Sequence, residues 1–219
     1  MENIFEFSNY NTFYQRCILA SIAHAIMIGK FNLLTNEQSW DEKNYSFQNM
    51  EGIRGVISFG ANNFVCVIQN DENYIEGEEE IITQLFQGTD DKVRNLVKNE
   101  ALQYLMIENN DDVVPAASVA FWGDKKNNCS NLREKELLDI CGNILLPYLC
   151  SEGDAKKYWK DYYEMNPEQL DFMEEIYELR INSTTKILLD KNKKEKLRAW
   201  LDEIDECIDL FSEINIYFD

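Results

Sequence analysis

Histidine, proline and glycine are all scarce in this chain: one, three and nine residues respectively in a length of 219. With His24 alone, no Ser-His-Asp or Cys-His-Asp arrangement can be assembled away from it, which removes a large class of hydrolases. His24 itself sits among Ala23, Ala25, Ile26 and Met27, where a core imidazole bonded to a neighbour is the simpler reading than a general base. No C-x-x-C pair occurs among the six cysteines, and Cys141 and Cys150 stand nine apart with no histidine beside them, so a zinc site is not expected. Asp71-x-Asn73 opens like a calcium loop, but its fifth position is Ile75 and Gly77 falls one residue late. Gly52-x-x-Gly55 leads into a strand-like run, so it cannot set phosphate on a helix N-terminus and reads as a turn with close strand packing. No metal, cofactor or catalytic residue is assigned. An all-carboxylate site, with or without a divalent metal, stays open because acids are everywhere.

The apolar stretch nearest the N-terminus, Cys17 to Ile28, holds His24 and is too short to span a bilayer. The opening Met-Glu-Asn-Ile-Phe-Glu has no basic region, and Cys17, Cys66, Cys129, Cys141, Cys150 and Cys207 lie mostly in apolar runs. Reduced thiols in a cytoplasmic protein are the expectation.

Acid is what the chain has in excess: 40 Asp and Glu against 21 Lys and Arg, a net charge of −19. It is evenly spread, with sixteen acids and seven bases in 1–110 and twenty-four and fourteen in 111–219. At 45% hydrophobic and 12% aromatic the chain lies outside the compositional range of disorder, so the charge belongs to a folded surface. Such a surface repels nucleic acid and anionic membranes and attracts basic partners. The one basic cluster, Lys191, Lys193, Lys194, Lys196 and Arg198, stands beside Asp190 and Glu195 and reads as a salt-bridged helix face.

The pattern predicts an α+β fold: a mostly helical single domain with a small antiparallel β-meander in the N-terminal third. A helix is expected over 8–34, capped by Ser8 or Asn11 and central to the core. The meander covers about 44–70, with strands at 44–48, 53–59 and 64–68. Helices follow at about 78–87, 90–107, 131–149 (ending near Pro147), 154–164, 167–181 with Pro167 in the first turn, and 192–212. Residues 113–123 are ambiguous, Pro115 arguing against a central strand there and Ser118–Trp122 fitting an edge strand or buried loop. Short extended pieces are expected at 184–189 and 214–218.

Aromatics set among charges supply the candidate binding residues. Tyr158, Trp159 and Tyr162 lie together on one predicted helix, and Trp40-Asp41 with Tyr45 forms a second group. Exposed Tyr and Trp beside acids have the composition of an interaction hot spot. Glu76, Glu78, Glu79 and Glu80 are candidate steering charges. With the stretch Trp40-Asp41, Asn44-Tyr45 and Gly52-x-Arg54-Gly55-x-Ile57-x-Phe59, this profile resembles the small acidic immunity proteins of bacterial polymorphic-toxin loci. The likeness covers about the first 70 residues in motif and the remainder in style; no named family and no functional residue is carried over. It implies a non-enzymatic protein that neutralises or escorts a basic protein partner such as a toxin domain. A carboxylate-based enzyme and a structural subunit of a homo-oligomer are the alternatives, and the sequence leaves oligomeric state open.

Overall fold

The computed structural model describes residues 3–5, 9–109, 112–201 and 204–219. In chain order its elements are β1 (Asn3–Phe5), α1 (Tyr10–Met27), β2 (Gln38–Asp41), β3 (Asn44–Gln48), β4 (Ile53–Phe59), β5 (Asn63–Asn70), β6 (Ile75–Glu76), α2 (Glu78–Leu85), α3 (Asp91–Asn99), β7 (Met106–Asn109), β8 (Asp112–Ala117), β9 (Val119–Asp124), β10 (Asn128–Ser130), α4 (Glu134–Cys141), α5 (Leu146–Leu149), α6 (Glu152–Tyr162), α7 (Pro167–Ile181), β11 (Ile187–Leu189), α8 (Lys191–Trp200), α9 (Asp205–Glu213) and β12 (Ile216–Phe218). The fold is α+β, with its antiparallel sheet in the N-terminal half. Among the described residues, no helix is long and apolar enough to cross a membrane.

The chain sorts into two compact units, one of Lys43–Leu146 with the segment up to Thr12, the other of Phe13–Glu42 with Pro147–Asp219. In the first, strands run in the order β1-β10-β9-β5-β4-β3, all antiparallel. The expected meander is β3–β5, and the sheet continues past it through β9 and β10. Registered rows Val56–Val67–Ala120 and Val65–Trp122 put one face of the sheet under α2 and α3, whose Ile81, Val93, Leu96 and Val97 complete that core. Ile57, Cys66 and Phe121, on the alternate rows, are buried too. Burial on both faces explains why β4 and β5 read as continuous apolar runs rather than alternating ones.

Several boundaries differ from the sequence reading, each for a local reason. Asn9 caps α1, its Oδ1 accepting from Thr12 N at 3.2 Å; Ser8 lies outside the described residues and Asn11 is inside the helix. α1 stops at Met27 and gives way to 3-10 turns at Ile28–Lys30 and Asn32–Leu34, where Gly29 and Asn32 lower helix propensity. The stretch 90–107 is α3, a 3-10 turn at Ala101–Tyr104 and then β7. The single helix expected over 131–149 breaks at Gly142, whose φ of +57° is open to glycine but not to other residues at small cost. α5 then resumes with Pro147 in its first turn, where proline is tolerated. The 192–212 stretch is likewise two helices, α8 and α9.

Pro115 is the clearest correction. It lies in β8, the middle strand of a three-stranded sheet ordered β6-β8-β7. β6 is only two residues long and pairs with Ala116 and Ala117, so no ladder donor is required of Pro115, while its carbonyl accepts from Gly77 N at 2.8 Å. Val119–Asp124 is an interior strand between β10 and β5, not an edge.

In the second unit α7 starts as expected: Asn166 Oδ1 caps Gln169 N, Gln169 Oε1 accepts from Asn166 N, and Pro167 holds the first position. β11 and β12 form a parallel pair in the two short extended pieces. Arg16, 5% exposed, is held by Tyr177 Oη (3.2 Å), Glu152 Oε2 (3.5 Å) and the Cys150 carbonyl (3.4 Å). Cys17, Cys66, Cys141 and Cys207 are buried free thiols, Cys129 and Cys150 half-buried ones, and burial pushes the thiols of Cys17, Cys141 and Cys207 well above their ordinary range.

Gly55 faces Phe47 across the β3–β4 ladder. A Cβ there would stand 2.4 Å from Phe47 Cζ and 2.8 Å from Cε2, and Phe47 is itself buried. Gly55→Ala is therefore expected to cost about 1–3 kcal/mol of unfolding free energy in urea titration, as overpacking typically does. Adding Phe47→Leu should recover part of that loss; an unchanged midpoint in Gly55→Ala would contradict the close packing.

Candidate functional site

α6 carries three aromatics and Tyr163 follows it directly, and helical spacing divides the four into two pairs. Tyr158 and Tyr162 stack at 6.0 Å with rings 9° apart, and Trp159 and Tyr163 stack at 5.9 Å with rings 20° apart. The i, i+4 relation puts each pair on its own face. Trp159 and Tyr163 are buried, Tyr158 is half-buried, and Tyr162 is 41% exposed.

The inner pair leads to the histidine. Gln38 Nε2 donates to Tyr163 Oη at 3.3 Å, leaving the hydroxyl proton for His24 Nδ1 at 2.8 Å. Burial lowers the His24 pKa to about 4, against a weaker opposite pull from the Thr35 backbone, so the imidazole is neutral. His24 is 1% exposed, a core histidine with a bonded neighbour.

The outer pair leads to a carboxylate. Tyr162 Oη donates to Glu37 Oε2 at 2.7 Å. Glu37 is 9% exposed, and among the described residues no lysine, arginine or histidine nitrogen lies within 4 Å of it. Burial raises its pKa, the Tyr162 hydrogen bond opposing; Tyr162 in turn is pushed up by burial and by Glu37.

The remaining sequence candidates fall into three situations. Trp40 is buried on β2, its Nε1 donating to Ser21 Oγ at 2.7 Å and its backbone N to Glu213 Oε2 at 2.8 Å; the period of the strand turns Asp41 outward. Tyr45 is fully buried on β3, stacked on Phe47. Trp40, Tyr45 and Trp159 thus build cores instead of presenting rings to solvent, which corrects the expectation of exposure. In the first unit, Glu76 at the end of β6 and Glu79 and Glu80 in the first turn of α2 are exposed, with Asn109 donating to Glu76 and Gln84 to Glu80. Glu78 is tied to Lys98 at 2.7 Å. Negative charge suits that helix N-terminus.

The structure thus brings Tyr158, Trp159 and Tyr162 together and joins Glu37 to them. Nothing in the sequence marked Glu37, one acid among 40.

The first unit also holds two cavities. One, about 610 Å³, is lined by Trp122, Asn63, Asp90 and Asp124 among others. Both acids are occupied locally: Asp90 Oδ1 caps Val93 N at 2.9 Å, and Asp124 Oδ1 accepts from the backbones of Lys126 and Asn127 at 2.6 and 2.9 Å. The other, about 510 Å³, is lined by Arg54, Gln69 and Tyr74, with Arg54 donating to Gln69 Oε1 and the Met106 carbonyl at 2.8 and 2.9 Å. Among the described residues, no three His, Cys, Asp or Glu side chains converge in a way that could hold a metal ion.

Comparison of the chain with protein-family models, with curated proteins and with solved structures finds no match.

Two titrations follow, of opposite sign. His24 is harder to protonate folded than unfolded, so stability is intact above pH 6.5 and falls as pH drops toward 4, by on the order of 3 kcal/mol for a shift from 6.5 to about 4. Urea titrations should show His24→Gln relieved of this part of the acid loss; parallel curves would refute it. Glu37 is easier to protonate folded than unfolded, so its contribution is full below its unfolded value and declines as pH rises through the raised one. Glu37→Gln, which still offers Tyr162 an acceptor, should gain stability over the parent at pH 7 and lose that advantage near pH 4. An unstable Glu37→Gln at pH 7 would contradict the uncompensated carboxylate.

Proposed function

We propose that this chain is a non-enzymatic acidic binding protein that neutralises or escorts a basic protein partner, most specifically an immunity-type inhibitor of a bacterial toxin acting in the cytoplasm. The observation that carries this reading is the outward pair Tyr158–Tyr162 backed by the buried Glu37, whose carboxylate has no cation within 4 Å among the described residues. Buried Tyr and Trp anchors dominate the affinity of protein interfaces, and a ready-made acidic aromatic ledge selects for basic side chains. The charge supports the same reading. If every base paired with an acid, 40 − 21 = 19 acids would still remain, enough for long-range attraction and fast association with a cationic partner.

The division of labour assigned to the acids and the rings gives the test. A tagged chain incubated with lysate at low salt should retain one basic protein stoichiometrically, identified by mass spectrometry, and release it at moderate salt. With that partner in hand, changing Glu76, Glu79 and Glu80 together to Gln should slow association roughly tenfold at low salt and leave dissociation nearly unchanged. Recovery of the bait alone at both salts would remove the constitutive partner.

A further inference from the structure

Two carboxylates of the second unit share a motif, and one copy of it is incomplete. Glu152 accepts from Tyr177 Oη at 3.3 Å and is neutralised by Lys156 at 2.9 Å and Arg16 at 3.5 Å, with Lys156 Nζ 5.4 Å from the centre of the Tyr177 ring. A tyrosine hydroxyl, a cation on the carboxylate and a cation over the ring are all present. These partners hold the Glu152 carboxyl below its ordinary range despite burial. Glu37 has the tyrosine hydroxyl and the aromatic surface, but no cation within 4 Å among the described residues. Among the described residues its Oε1 accepts no hydrogen bond yet keeps some contact with solvent, and the residue as a whole is more deeply buried than Glu152.

An ionised carboxylate on a residue only 9% exposed, with a single neutral donor among the described residues, is an expensive arrangement to keep. It accepts from the hydroxyl of Tyr162, an exposed tyrosine of the unit, and the Tyr158 ring lies parallel to that one. A group that would complete it must be cationic, must supply N–H donors to Oε1, and must lie flat on an aromatic face. The guanidinium meets all three demands: it is planar, carries donors in a fork, and stacks on rings at lower desolvation cost than an ammonium.

We propose that Glu37, Tyr158 and Tyr162 form a docking site for one arginine side chain of the basic partner, its guanidinium on the outward ring faces and ion-paired to Glu37. This rests on the reading of a basic protein partner and names the chemistry that partner presents.

The site can be tested on the whole chain without the partner. The probe is the blocked tripeptide acetyl-Gly-Arg-Gly-amide, followed by NMR of ring-labelled tyrosine, with the citrulline and lysine peptides as controls. The arginine peptide should give saturable shifts at Tyr158 and Tyr162 with a Kd of about 1–10 mM, in line with one side chain binding alone. Glu37→Gln and Tyr158→Ala should each weaken it about tenfold, and citrulline, uncharged but isosteric, should bind no better than those variants. Absence of saturable shifts up to roughly 50 mM would overturn the proposal, since that is well above such a Kd. Equal shifts with citrulline, with lysine or in Glu37→Gln would overturn it too. The two readings fail separately. A basic partner held as tightly by Glu37→Gln and Tyr162→Ala as by the parent would sink the arginine site and leave the partner. Arginine-peptide binding with no partner recovered would do the reverse.

Discussion

The whole structure has to keep 40 carboxylates hydrated or paired with half as many bases to share among them. Removing a charge from water costs far more than an exposed ion pair returns, so most acids must stay on surfaces and helix ends. The arrangement follows that rule closely. Asp90 and Asp190 cap α3 and α8, accepting from Val93 and Lys193 backbones, and acids fill the first turn of α2. Lys193 and Arg198 of the basic cluster are spent on Glu175, Asp190 and Glu195. Where a charge does go inside, as Arg16 does, it takes a carboxylate, a hydroxyl and a carbonyl with it.

Against that background Glu37 stands out among the described residues as a buried acid with no base beside it. The arginine proposed above would supply the charge that the free protein does not offer it. The neighbouring rings show how α6 makes this possible. One stacked pair is committed to the core through His24 and Gln38, which fixes the helix. The other pair stands outward on the same helix, where the proposed binding would require little further ordering.

Much of the fold was legible in the sequence because its signals were local. The β3–β5 meander, the Pro167 helix start, the two terminal extended pieces and the structural role of His24 all rest on nearby residues. What could not be read depended on partners distant in sequence. β9 is interior because β10 and β5 flank it, and Pro115 is tolerated because β6 is too short to ask for its missing N–H. Trp40, Tyr45 and Trp159 share their charged surroundings with Tyr158 and Tyr162, yet strand period and helix face send the first three inward. Glu37 was invisible for a different reason: its neighbour Tyr162 lies 125 residues away, and composition gave it 39 equals.

The buried thiols have a use beyond packing. Cys66 and Cys141 lie in one compact unit, Cys17 and Cys207 in the other; all four are shielded from reagents by coverage, and Cys17, Cys141 and Cys207 by a raised pKa as well. Alkylation at any of them requires that part of the chain to open first. The wild-type protein therefore carries two pairs of built-in clocks. Pulse labelling read by peptide mass would time the opening of each unit separately, with no engineered probe.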